Sequence, residues 1–184
     1  MRIGILTFHR AHNYGAVLQC YALQEYLLQQ GHDVHVIDYN RKELWCGYEW
    51  RMKSYEKQVV RQNLLKFPIR LFKYLWYNKK IISRYYKFKF FQESELHLAD
   101  EKTILSHPYD LILIGSDQVW NTEITQGLDP YYWGTFERPP YTKVATYAAS
   151  MRKEWHSEYL DMIHENLKKL DGISVREKNL IDLI

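Results

Sequence analysis

Apolar and polar positions alternate along the 184-residue chain in a way that predicts strands and helices in turn. Short apolar runs typical of buried strands occupy residues 2–8, 33–38, 109–115, 143–148 and 173–175. The spacing of amphipathic helices is found at residues 16–30, 154–170 and 177–184. Gly31 is expected to end the first helix, because glycine tolerates the backbone conformation of a C-terminal cap.

The first strand, helix and second strand form one βαβ unit, whose strands should be parallel and whose crossover should be right-handed. The repeat of this pattern predicts an α/β fold of the Rossmann-like type with a parallel sheet. Residues 1–184 are expected to form one such domain, interrupted by a helical insertion at approximately 45–100.

That insertion carries an unusual charge and aromatic content. Residues 51–90 contain twelve basic residues, one acidic residue and ten of the 29 aromatic residues of the chain. Leu64, Phe67, Leu71 and Leu75 have helical spacing. Pro68 is expected to break this stretch or to begin a new helix in its first turn, and residues 79–93 predict a further helical stretch.

Three interpretations of the insertion stay open. It is an ordinary helical insertion with one solvated face, a surface that contacts an anionic membrane, or a surface for nucleic acid or another polyanion. Basic residues beside Trp and Tyr suit a membrane surface, so residues 51–90 are a possible membrane contact. No nucleic acid partner is expected, because no nucleic-acid motif accompanies the basic residues.

Composition excludes several classes of protein. With 46% hydrophobic and 26% charged residues, the chain is neither disordered nor a typical membrane protein. Cys20 and Cys46 are too few for a disulfide scaffold or a thiolate zinc site. No signal peptide or spanning segment is visible, so a cytoplasmic location is expected. Dinucleotide, P-loop and zincin motifs are absent, so the corresponding classes of site lose their main support.

Polar side chains follow four of the predicted strands. Because the carboxyl ends of parallel strands share one edge of a sheet, and ligands bind there, these side chains should lie on one rim. The candidate residues are His9, His12, Asn13, Tyr14, Gly15, Ser116, Asp117, Gln118, Trp120, Asn121, Ser150 and Arg176.

Most of these residues also have a purely structural interpretation. Asn13, Asn121 and Ser150 are residue types that cap helices, Ser116 and Asp117 can form a capping turn, and Gly15 can shape a turn. Arg176 can pair with a structural carboxylate. Trp120 is either a flat platform for a sugar ring or a plug in the core, and the sequence favours neither.

Four sequence blocks together resemble the polysaccharide pyruvyl transferase family. They are N-Y-G-A-V-L-Q from Asn13 with Y-A-L from Tyr21, G-S-D-Q-V-W-N from Gly115, Y-A-A-S from Tyr147 and I-S-V-R-E from Ile173. They occur in the family's order and span nearly the whole chain, and the first and second blocks carry most of the weight. Cys20 stands where a small residue is common.

The resemblance implies the N-terminal half of a fold similar to GT-B glycosyltransferases, with the C-terminal donor half absent or truncated. It implies transfer of a pyruvyl group from phosphoenolpyruvate to a sugar of a bacterial surface polysaccharide or its lipid-linked precursor. This scheme requires no metal, and no cofactor is expected besides phosphoenolpyruvate as the donor substrate. Asp117 is expected to be the base or to grip acceptor hydroxyls, with His9 and His12 as candidate proton carriers. Asn13, Tyr14, Gln118 and Asn121 would bind the sugar, and Arg176 would face the donor.

Two other functions remain compatible with these residues. One is a transferase of the same architecture that uses a nucleotide sugar. The other is a non-catalytic half-domain that binds a glycan or a membrane and assists other proteins of polysaccharide assembly.

Overall fold

The computed structural model describes residues 1–41, 67–152 and 155–184, and for residues 67–78 it describes the backbone alone. Within these ranges the strands are β1 (Arg2–Leu6), β2 (Asp33–Asp38), β3 (Leu98–Asp100), β4 (Leu111–Gly115) and β5 (Lys143–Tyr147). The α-helices are α1 (Tyr14–Gln29), α2 (Phe67–Glu95), α3 (Thr103–Ser106), α4 (Thr122–Thr125), α5 (Leu160–Leu167) and α6 (Lys178–Ile181). A 3-10 turn, Ser157–Tyr159, precedes α5.

The described strands form one parallel sheet in the order β3-β2-β1-β4-β5. This is the strand order of a doubly wound Rossmann-like domain. Successive residues of a strand face opposite sides of the sheet. Ile5 accordingly packs with Cys20 of α1 on one side, whereas Leu6 packs with the aromatic core on the other. The predicted Rossmann-like α/β class is confirmed.

Two features of the sheet differ from the prediction. The edge strand β3 is three residues long, too short to give a recognisable apolar pattern. Residues 173–175 do not form a full strand. The isolated bridge of Ala149 with Val175 joins them to the residues that follow β5, and hydrogen bonds join Ser174 to Thr146 and Ala149. The Thr146 hydroxyl takes part in this contact, accepting from the Ser174 N–H at 2.9 Å in place of a ladder bond.

The helix ends follow from local chemistry. Asn13 caps α1 by accepting a hydrogen bond from the Gly15 N–H at 2.9 Å. Gly31, with φ of 81°, follows the end of α1 as predicted, and its N–H donates to the Leu28 carbonyl. The helix predicted over 154–170 is shorter in the structure, and Glu154 lies outside the described residues.

Helix α2 is continuous from Phe67 to Glu95 and has Pro68 in its first turn, where a missing N–H costs nothing. It lies against the loop after β1, because Gln92 donates to the His9 carbonyl at 2.7 Å and Arg84 donates to the His12 carbonyl at 2.6 Å. The basic residues before Phe67 that the insertion prediction includes lie outside the described residues, as do Leu64 and Cys46.

Candidate active site

The strand order creates a crevice between β1 and β4. The chain runs outward from β1 through β2 to β3 and then returns to β4 and β5 on the other side, so the connections leave this point in opposite directions. Leu6 pairs with Ile114, and the loops that follow β1 and β4 therefore begin side by side. Ligands of open α/β sheets bind at this position.

Asp117 is held half-buried in the loop after β4. Its Oδ1 accepts a hydrogen bond from the Gln118 N–H at 2.7 Å, and its backbone carbonyl accepts one from the Ser150 N–H at 3.0 Å. Burial raises the pKa of Asp117 above its ordinary value and outweighs the Gln118 N–H and the Arg176 charge, which act in the opposite direction. A raised pKa makes this carboxylate better suited to general-base chemistry.

Ser150 and Arg176 form hydrogen bonds to the loop after β4, and Ser116 is the loop residue that Arg176 contacts. Arg176 donates from Nη2 to the carbonyl of Ser116 at 2.9 Å and to its hydroxyl at 3.2 Å. Among the described residues, the hydrogen bonds of Arg176 go to Ser116 and not to a carboxylate. Ser150 is buried and donates its hydroxyl to Glu177 Oε1 at 2.7 Å. The structure brings Ser116, Asp117, Ser150 and Arg176 together as the sequence predicts.

Asn121 has a capping function in the structure. Its Oδ1 accepts from the Glu123 N–H at 3.1 Å at the start of α4, and its amide donates to Gln118 Oε1 at 3.0 Å. Asn121 is 6% exposed, so little of its side chain remains for a sugar. Of the two amides, Gln118 is the one that stays half-exposed in the loop.

Trp120 belongs to the core, and its assignment to substrate binding is corrected by the structure. The ring is fully buried, stacks on Trp133 with centroids 5.2 Å apart, and donates its N–H to the Tyr132 carbonyl. A ring without an exposed face offers no platform to a sugar. The core alternative is the one that the structure contains.

His9 is buried, and both of its ring nitrogens are occupied. Nε2 lies 2.9 Å from Asp38 Oδ1, and Nδ1 lies 3.2 Å from the Thr7 carbonyl. Both neighbours accept hydrogen bonds, so the ring has no nitrogen left for a substrate. This geometry fits a residue that positions Asp38 and does not fit the predicted proton carrier.

Asp38 is a site residue that the sequence interpretation missed. Arg10 binds it through two hydrogen bonds, from Nε at 2.6 Å and from Nη2 at 2.5 Å. Burial alone would raise the pKa of Asp38, but the hydrogen bonds from His9 and Arg10 outweigh it and hold the pKa well below its usual range. The same strand-end rule, applied to β2, identifies Asp38 as a rim residue.

The remaining residues of the loop after β1 lie against α2. The His12 ring stacks on buried Phe88 with centroids 5.2 Å apart, and burial together with Arg84 lowers the pKa of His12. Tyr14 is 65% exposed and also contacts Phe88. Gly15 and Asn13 are exposed at the start of α1, where the Asn13 side chain serves as the cap.

These features define the class of protein: a Rossmann-like domain with a half-buried aspartate, serines and an arginine at its ligand-binding edge. The family model described as polysaccharide pyruvyl transferase matches residues 13–184. The chain therefore belongs to the polysaccharide pyruvyl transferase family, as its sequence blocks indicate. No curated protein and no solved structure matches the chain.

Family membership implies a transferase that acts on a glycan acceptor. Within the part of the chain that the structure describes, no group of three or more His, Cys, Asp or Glu side chains is arranged to hold a metal ion. In the same ranges, no helix combines the length and hydropathy needed to cross a bilayer.

Proposed function

We propose that this chain is the acceptor-binding N-terminal half of a GT-B-like enzyme. The enzyme transfers a pyruvyl group from phosphoenolpyruvate to a sugar of a bacterial surface polysaccharide or its lipid-linked precursor. Residues 1–184 form the acceptor half, and a C-terminal half supplies most of the donor site. Family membership supports the reaction class, and the single structural observation that carries the proposal is the half-buried Asp117 beside the β1–β4 crevice.

The chemistry balances without a cofactor. A proton adds to the methylene carbon of phosphoenolpyruvate, which makes its C2 electrophilic. One sugar hydroxyl attacks C2 as a base removes its proton, the C2–phosphate bond then breaks, and phosphate leaves. A second hydroxyl loses its proton and closes the cyclic ketal. Such a site requires a base near the acceptor hydroxyl, an acid, and cations near the donor carboxylate and phosphate.

The described residues fit several of these roles. Asp117 is the base, because burial raises its pKa above the ordinary value and makes the carboxylate a better proton acceptor. Arg176 is exposed beside Ser116 and is the cation of this half that faces the donor. Ser150 and Glu177 position the loop, and Glu177 Oε2 is buried without a hydrogen-bond partner among the described residues. Asn13, Tyr14 and Gly15 are exposed beside the crevice, and His12 and Gln118 are half-buried there; these residues are the proposed contacts of the sugar, with His12 as a candidate proton carrier.

Phosphate release tests the reaction directly. The purified chain, alone and extended by any reading frame that continues past Ile184, is mixed with phosphoenolpyruvate and lipid-linked sugar acceptors. We expect phosphate to appear only when donor and acceptor are both present. Failure of an extended, folded chain to release phosphate with any acceptor would contradict the proposal. Turnover of a nucleotide sugar instead would identify a glycosyltransferase, and glycan binding without turnover would identify a non-catalytic half-domain.

An anionic membrane is the second partner that we propose, and helix α2 carries this part of the proposal. Tyr86 and Phe90 are 62% and 72% exposed, and they share one face of the helix with Lys79 and Lys87. No acidic residue precedes Glu93 in this helix. Lysines beside exposed aromatic rings suit the surface of a bilayer with anionic lipid. This contact would hold the enzyme at the inner face of the cell membrane, near lipid-linked acceptors.

Vesicle sedimentation tests the membrane contact. The protein should bind phosphatidylcholine vesicles that contain phosphatidylglycerol and should not bind vesicles of phosphatidylcholine alone. Each lysine near an anionic surface contributes about 1 kcal/mol, so the double variant K79Q/K87Q should bind about thirtyfold more weakly. K143Q/K169Q, which changes two exposed lysines away from α2, is the control and should bind normally. Equal binding to neutral vesicles, or no binding to either kind, would remove the membrane contact.

A further inference from the structure

A polar cavity of about 340 Å³ lies beside the crevice, on the β2 side. The loop after β1, the end of β2 and helix α2 form its walls. The lining residues are His9, Arg10, His12, Asp38, Asn40, Tyr85, Lys89, Gln92, Glu93 and Leu98. Its volume falls at the lower end of the range of small-molecule sites, about 300–1,000 Å³.

The charges of this wall balance one another. Arg10 forms a two-bond pair with Asp38, and Lys89 lies 3.7 Å from Glu93. A phosphate site presents unpaired cations and backbone N–H groups to its ligand. This wall presents cations whose charge a neighbouring carboxylate already compensates, and a strongly anionic ligand gains little there.

The hydrogen-bonding groups of the wall that these ion pairs do not use are suited to binding the hydroxyl groups of a ligand. Arg10 uses Nε and Nη2 on Asp38, and its Nη1 takes part in neither bond. Asn40 is exposed at the end of β2 and offers both a carbonyl oxygen and an amide. Gln92 donates one amide N–H to the His9 carbonyl, which fixes its side chain in the wall. The half-buried ring of Tyr85 supplies an apolar surface beside these polar groups.

We propose that this cavity binds an uncharged sugar ring of the acceptor, adjacent to the ring whose hydroxyls react. This inference rests on the proposed function, since it takes the ligand to be a glycan. Hydrogen bonds fix the cation of this wall in place: buried His9 positions Asp38, and Asp38 positions Arg10. The cavity and Asp117 lie at the same edge of the sheet, on the two sides of the β1–β4 crevice.

Saturation-transfer NMR on the 184-residue chain tests the cavity without turnover. The probes are the methyl glycosides of glucose, galactose and mannose, the methyl glycoside of glucuronic acid, and inorganic phosphate. At least one neutral glycoside should bind, more tightly than the glucuronide or phosphate. N40A should weaken that binding about fivefold to tenfold, the effect of one lost hydrogen bond. N179A, an exposed asparagine of α6 away from the cavity, should leave it unchanged.

A charge variant sharpens the test. E93Q removes an exposed carboxylate from the wall and leaves Lys89 uncompensated, so the affinity for the glucuronide should rise relative to the neutral glycoside. The proposal is overturned if no neutral glycoside binds, if phosphate or the glucuronide binds best to the native chain, or if N40A has no effect. Sugar binding without pyruvyl transfer would contradict the proposed reaction and leave the proposed sugar site in place. Pyruvyl transfer with an acceptor KM that N40A does not change would contradict the sugar site and leave the reaction in place.

Discussion

Replacing Asp117 with asparagine is expected to lower kcat/KM for pyruvyl transfer by about 10²–10⁴, the usual contribution of a positioned general base. Asparagine keeps the size of the side chain and an oxygen that can accept from the Gln118 N–H. The substitution therefore removes the basic group and leaves the loop in place. Phosphate release from phosphoenolpyruvate is the measurement, and unchanged activity would show that Asp117 is not the base.

The pH dependence adds a second readout. Because the base must be unprotonated, the rate should rise with pH through the raised pKa of Asp117. The rise should disappear in the asparagine variant. D161N, which changes an exposed aspartate of α5, is the matched control and should keep both the rate and its pH profile.

As pH rises through the raised pKa of Asp117, the free energy of unfolding of the native chain should fall while its activity rises. A carboxyl whose pKa is higher in the folded state contributes stability that is present at low pH and is lost as pH rises through the folded pKa. Since burial raises the pKa of Asp117, the native chain should lose stability relative to D117N over that interval. A variant that is less active than the native chain, and more stable at pH values above the raised pKa, is the pattern expected of a functional group held in an unfavourable environment. Urea unfolding at several pH values measures it.

The sheet was predictable because its central strands are continuous apolar runs. Strands β1 and β4 have no exposed residue, and their apolar runs are plain in the sequence. Strands β2 and β5 alternate more, because β2 exposes Asp33 and β5 exposes Lys143 and Tyr147. Strand β3 is a half-exposed tripeptide whose pairing with β2 depends on tertiary contacts. Residues 173–175 have strand-like composition, yet Thr146 replaces ladder bonds with its hydroxyl, and no local pattern encodes that.

The site was predictable to the extent that strand ends define it. The parallel pairing of β4 with β5 brings Asp117 and Ser150 to one edge, and the bridge of Ala149 with Val175 places Arg176 beside them. The direction in which a side chain points could not be predicted, because a tryptophan after a strand has the same sequence signature in a loop or in the core. The Trp120 ring stacks on Trp133, and the Nε2 atom of His9 is engaged by Asp38. Neither partner is a neighbour in the sequence, so no local pattern shows these contacts.

Replacing Gly115 with alanine is expected to destabilise the fold by about 3–5 kcal/mol, the sum of backbone strain and a steric clash. Gly115 is the last residue of β4 and has φ of +115°, a conformation that residues with a side chain rarely adopt. A Cβ at this position would also collide with the carbonyl oxygen of Tyr147. Gly115 pairs with Tyr147 in the parallel ladder, so neither backbone can move without breaking the β4–β5 contact.

Gly127 offers a control that separates the two causes. Its φ of +112° is nearly the same, but nothing lies within 4 Å of where its Cβ would be. G127A should therefore show the strain alone, about 1–2 kcal/mol. Thermal unfolding should place G115A about 10 °C below the native chain, since each kcal/mol shifts Tm by about 2–4 °C at this size. Equal destabilisation by G115A and G127A would mean that the β4–β5 edge yields to a methyl group, and that the loop carrying Asp117 is not held by the close approach of these two strands.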